Sequence, residues 1–113
     1  MPAETSITLA LGDIPEGGMH ACMVGSRDIL VCRTKDRIYA LDNICTHAYA
    51  RLHEGRLRGT RLICPLHGAA FDIRDGRVLG APATRPLATH TVKVVGDSVE
   101  LSITTADSAP LRL

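Results

Sequence analysis

Tryptophan is absent from the 113 residues, and only Tyr39, Tyr49 and Phe71 are aromatic. A core must therefore rest on Val, Ile, Leu and Ala, and so few stacking rings argue against a single-strand nucleic-acid platform. An excess of charge is lacking too. Thirteen Lys and Arg against twelve Asp and Glu leave +1, without the concentrated basic face that phosphate backbones require. No apolar run approaches the ~20 residues that span a bilayer. The opening MPAETSITLALGDIPEGG has no basic n-region and no long apolar run, so no secretory leader is expected. These absences predict a soluble cytoplasmic protein, where the four cysteines are not expected to pair as disulfides. Gly12, Gly17, Gly18 and Gly25 make no flavin or nicotinamide fingerprint.

What is present is ordinary globular composition, 45% hydrophobic and 22% charged, which predicts one domain over residues 1–113. Short strands alternate with turns. Strands are expected at Ser6 to Leu11, Met19 to Val24, Asp28 to Thr34, Arg37 to Asp42, Arg61 to Cys64, Ala69 to Ile73, Thr91 to Val95 and Val99 to Thr104. Turns fall at Pro15 to Gly18, Gly25-Ser26, Lys35-Asp36, Asp75-Gly76 and Gly96-Asp97. Only Thr46 to Leu52 could make a helical turn. The pattern predicts an all-β sandwich or barrel.

Asn43 to Leu79 interrupts the strand series. It holds three of the five histidines, two cysteines, and six arginines against three acids. Two pairs stand out there: Cys45-Thr46-His47 and Cys64-Pro65-Leu66-His67, with sixteen residues between His47 and Cys64. Each joins a soft thiolate to an imidazole on a short segment, and two Cys with two His at such separations are a metal signature. Pro65 stiffens the second segment, and Gly68 is read as a place of close backbone approach. A structural zinc ion could use the same four side chains. Zinc fingers, however, place a Cys pair before a His pair, whereas here the two types alternate, as suits a binuclear cluster with one Cys and one His from each loop.

Cys-x-His followed by Cys-x-x-His, with Pro65 and Gly68, resembles the Rieske signature. Arg37 to Asn43 is similar to the strand entering the first loop, and Gly76 to Leu87, with Pro82, to the segment that covers the cluster. The resemblance spans roughly residues 5 to 103. It implies a Rieske iron–sulfur fold, a β-sandwich base with a cluster-binding subdomain (43–79) at one end. It also implies one [2Fe–2S] cluster ligated by Cys45, His47, Cys64 and His67, the histidines lying at the exposed tip.

Departures from the family pattern point to one kind of member. High-potential Rieske proteins carry an extra cysteine in each loop, joined as a disulfide. Ala50 and Leu66 stand at those positions here. Ser and Tyr hydroxyls near the cluster are replaced by Ala69 and Phe71. Hydrogen bonds to cluster sulfur favour the reduced state, so their loss implies a potential near the bottom of the Rieske range, about −150 mV.

One one-electron centre in a chain of this size can relay electrons but has no place for a substrate. Only His20, His53 and His90 remain for a mononuclear iron site, and they are widely spaced. The sequence resembles the Rieske-type ferredoxins of bacterial aromatic-ring dioxygenase systems, of the biphenyl, naphthalene and anthranilate kind. That implies a monomeric carrier, not itself an enzyme, between an NAD(P)H-dependent flavoprotein ferredoxin reductase and a terminal oxygenase, with no nucleic-acid or membrane partner. The small subunit of an assimilatory nitrite reductase is the alternative. Cys22 and Cys32 are expected as structural thiols, His53 at the surface, and His20 and His90 at the surface or a strand edge. Tyr49 and Leu66 are expected as apolar cover for the cluster.

Overall fold

The consecutive apolar run Ile29-Leu30-Val31-Cys32 organises the molecule. It lies in strand β3 (Arg27–Thr34), and all four residues are fully buried. Successive strand side chains point to opposite faces, so an unbroken apolar run means that both faces are covered. Ile29 and Val31 pack with Ile14, Val24, Ala40, Val99 and Leu101. Leu30 and Cys32 join a second cluster that contains Leu41, Cys45, Leu52, Leu62, Cys64 and Phe71. β3 is the wall between two cores.

The computed structural model describes residues 6–35, 37–46, 50–66, 68–81, 83 and 85–103. Around β3 runs a six-stranded sheet in the order β1-β10-β9-β4-β3-β2. Its other members are β1 (Ser6–Ala10), β2 (Met19–Val24), β4 (Arg37–Asp42), β9 (Thr89–Val95) and β10 (Ser98–Ser102). All its pairings are antiparallel. β9 pairs with β4 through Thr89 and His90 and with β10 from Thr91 onward. The sheet thereby bends over itself, bringing Val99 and Leu101 against Ile29 and Val31. A smaller antiparallel sheet, in the order β5-β6-β7-β8, contains β5 (Arg56–Arg58), β6 (Arg61–Ile63), β7 (Ala70–Asp72) and β8 (Val78–Gly80). Leu62 and Phe71, directly opposite one another, bury its inner face in the second cluster. The all-β expectation holds. Among the described residues no helix is long and apolar enough to cross a membrane.

The strands read from alternation are present to within two residues at their ends, and β2 and β4 match in full, with Asp36 of the expected turn and Thr104 of the last expected strand outside the described residues. The helical turn expected at Thr46 to Leu52 falls largely on residues 47–49, outside the described set; a 3₁₀ turn spans Leu52–Glu54. Gly55 follows it because nothing larger fits: a Cβ there would collide with the carbonyl of Ile63 and press on the Pro65 ring at 3.1 Å. This contact joins the end of the first loop to the start of the second. Gly68 answers to a different requirement. Its φ is +74°, and no described atom lies within 4 Å of the Cβ position, so handedness of the turn and not close approach calls for glycine.

Candidate metal centre

β4 ends at Asp42, and the chain then turns through a loop pinned from beneath. Asn43 is fully buried. Its amide nitrogen donates to Asp28 Oδ1 at 3.1 Å and to His53 Nδ1 at 3.0 Å, and its Oδ1 accepts the His53 backbone N–H at 2.9 Å. Asp28 also takes Arg51 Nε at 3.0 Å. Above this base Ile44 bridges Arg51, and the Cys45 N–H donates to the Ala50 carbonyl at 2.9 Å.

The second loop, between β6 and β7, repeats the device. Here the Cys64 N–H donates to the Ala69 carbonyl at 2.7 Å. Each loop is thus closed by a bond from its cysteine to an alanine five residues on, and each encloses a histidine in sequence, His47 in one and His67 in the other. Both histidines lie outside the described residues.

The two cysteines come together. Cys45 is 4% and Cys64 2% exposed, and the two thiols are neighbours in one apolar cluster. None of the four cysteines is in a disulfide. Burial pushes the Cys64 thiol up, and the neighbouring Cys45 adds to this. The Leu66 N–H, 3.4 Å from Cys64 Sγ, works the other way by favouring the thiolate. Two buried, adjacent, unbridged thiols with a backbone donor aimed at sulfur are a donor set for a soft metal, which would supply the positive charge that two thiolates in an apolar setting lack.

Cys32 belongs to the same apolar cluster, but burial pushes its thiol up to about 12, and Cys22 is half-buried on β2. Both are structural, as expected. Two histidine expectations fail. His53 is held by Asn43 and is not a free surface group. His90 has a fully buried side chain, with Nε2 2.8 Å from Asp42 Oδ1, while Arg27 grips the same carboxylate at 2.9 Å. Each partner is remote in sequence, so no local pattern announces it. Leu66 is 45% exposed and does not act as buried cover, while Tyr49 and Pro82 lie outside the described residues. Ala69 and Phe71 are fully buried. Sequence reasoning also missed Asp72, 2% exposed, whose carboxylate takes Arg74 at 2.7 Å and Arg77 at 3.5 Å.

The chain is 39% identical over 95 residues to the ferredoxin component of the naphthalene 1,2-dioxygenase system of Pseudomonas aeruginosa, covering 84% of this chain and 91% of the relative. The ferredoxin of carbazole 1,9a-dioxygenase from Nocardioides aromaticivorans IC177 superposes with a TM-score of 0.82 at 30% identity, covering 86% of this chain and 96% of that one. A chain in the complex of reduced oxygenase and oxidized ferredoxin in carbazole 1,9a-dioxygenase gives a TM-score of 0.81 at 33% identity, with 86% and 92% covered. A putative nitrite reductase (NADPH) small subunit reaches 0.72 at 19% identity, covering 86% and 97%, a likeness of fold alone. Residues 6–95 match the Rieske [2Fe-2S] domain, and the chain belongs to that family.

Proposed function

We propose that this chain is a low-potential one-electron carrier, which takes electrons from an NAD(P)H-dependent flavoprotein reductase and passes them to a terminal aromatic-ring oxygenase in the cytoplasm. Residues 43–79 serve as its cluster-binding subdomain. Cys45, His47, Cys64 and His67 would hold one [2Fe–2S] cluster, which supplies reversible one-electron chemistry when bound. The observation that carries this reading is the repeated loop: Cys45 and Cys64, both buried in one apolar cluster, each bonded to an alanine five residues on.

The remaining residues do the protein's part. Leu52, Leu62 and Phe71 keep water from the sulfur side. Asn43, Asp28 and Arg51 fix the first loop against the six-stranded sheet. Ala69 and Phe71 place no hydroxyl near the thiols, which keeps the potential low. Anaerobic voltammetry tests the reading. A reversible one-electron wave near about −150 mV is expected, together with NAD(P)H-driven turnover when a reductase and oxygenase are added. A colourless protein without a wave would indicate zinc, and a wave several hundred millivolts higher would refute the low-potential assignment.

A further inference from the structure

The outer face of the four-stranded sheet is basic and unpaired. Arg56 and Arg58 alternate along β5 with Leu57, and Arg61 sits directly opposite Arg58 across the β5–β6 hairpin. All three are exposed and point away from the core face that Leu62 and Phe71 bury. Arg61 reaches across β7 toward Gly80, where a Cβ would meet its guanidinium at 3.5 Å. Elsewhere three arginines are matched, Arg27 with Asp42, Arg33 with Glu16 and Arg51 with Asp28, while Arg37 and Arg85 stand singly among the described residues. On this sheet the one nearby acid, Asp72, is already shared by Arg74 and Arg77, and among the described residues Arg56, Arg58 and Arg61 have no acidic partner. Like charges directly opposed across a strand pair cost stability, as Arg58 and Arg61 are; on its other side Arg61 stands opposite Asp72, whose carboxylate Arg74 and Arg77 already hold.

The positive charge is concentrated in one segment. Residues 43–79 hold six arginines against Glu54, Asp72 and Asp75, a charge of +3, while the described residues outside this segment balance, six basic against six acidic. The positive end is the end that bears Cys45 and Cys64, and β6 runs directly into Cys64. Such an excess turns this end first toward an acidic surface. We propose that the Arg56–Arg58–Arg61 face is the docking surface for an acidic rim on the electron-donating flavoprotein. The inference rests on the carrier reading above. Direction follows from charge: uptake of an electron lowers the positive charge of this end by one, so an acidic partner holds the oxidised carrier more firmly and lets the reduced one go. That order suits a donor and opposes an acceptor.

The test uses the flavoprotein that reduces this chain from NAD(P)H, purified by that assay, and measures its affinity for the loaded carrier by calorimetry. The triple variant Arg56→Gln/Arg58→Gln/Arg61→Gln is expected to bind at least about tenfold more weakly at low ionic strength. The gap should close as salt rises, while the visible spectrum and reduction by dithionite stay unchanged. Arg37→Gln with Lys93→Gln, which removes charge from the other sheet, should have little effect, and the Arg→Lys triple should retain binding. The oxidised carrier should bind more tightly than the reduced. An unchanged affinity of the triple variant would overturn the proposal, as would an equal loss in the Arg37/Lys93 control. Tighter binding of the reduced form, or association with duplex DNA or a second copy of the chain in place of the flavoprotein, would do the same. If no flavoprotein reduces the chain, the carrier reading falls and this inference with it; reduction that persists with unchanged affinity in the triple variant removes this inference alone.

Discussion

Asn43 and His53 hold each other twice: the Asn43 side-chain amide donates to the His53 ring at 3.0 Å, and its oxygen accepts the His53 backbone N–H at 2.9 Å. The pair clamps the two feet of the loop that carries Cys45. Asn43→Ala removes both bonds and the one to Asp28, and it strands the part-buried N–H of His53. A loss of about 2–4 kcal/mol is expected, read by thermal or denaturant melts, with faster bleaching of the visible absorption on heating. A loss below about 1 kcal/mol would mean that water or a shifted His53 takes over the role.

Gly55 governs how closely the two loops meet. Gly55→Ala places a methyl group on the Ile63 carbonyl and the Pro65 ring, and about 3 kcal/mol of destabilisation is expected from the displacement. Gly12→Ala is the control, because nothing lies within 4 Å of its Cβ position; it should change stability by no more than about 0.5 kcal/mol. Equal effects in the two variants would show that the close approach at Gly55 is readily relaxed.

Asp72 sets an acid limit. The Arg74 guanidinium, which outweighs the upward push of burial, holds its carboxyl down to about 2 with help from the Arg74 N–H and Arg77. An unfolded aspartate titrates near about 3.9. The folded value is the lower one, so the stabilisation is complete above about pH 4 and is lost as pH falls through about 2. Asp72→Asn should therefore melt below the native protein by the same margin at pH 7 and pH 5, with the margin closing only below about pH 4. Closure between pH 7 and pH 5 would assign the effect to another group.

Hydroxyl groups restored at Ala69 and Phe71 should raise the potential. Both positions are fully buried in the cluster that holds Cys45 and Cys64. One neutral hydrogen bond is worth roughly 1 kcal/mol, so Ala69→Ser with Phe71→Tyr is expected to move the midpoint upward by tens of millivolts. An unmoved midpoint with an intact visible spectrum would mean that solvent exposure, and not hydroxyl bonding, sets the value.

How far the sequence alone reaches depends on the range of the interaction. β2 and β4 were legible because turn residues bound them in the sequence, Gly18 and Gly25 around β2 and Lys35 ahead of β4, and the two Cys/His pairs because a metal site built on short loops writes its spacing into the chain. β5 and β8 were not, since three residues such as Arg56-Leu57-Arg58 or Val78-Leu79-Gly80 carry no period. The histidines failed for a related reason. His90 is explained only by Asp42, 48 residues away, and His53 only by Asn43. Gly55 owes its identity to the Ile63 carbonyl, an atom common to every residue type and so invisible in the text of the sequence.

Because β3 is the common wall of two cores, the molecule cannot be stabilised at one end only. A metal that tightened the loops around Cys45 and Cys64 would press on Leu30 and Cys32, and the same backbone carries Ile29 and Val31 into the opposite core. By linkage, binding energy gained at the loops becomes folding energy of the whole. The amides of Ile29 and Val31 are therefore expected to exchange more slowly in the loaded protein than in the stripped one, a gauge of occupancy that needs no colour.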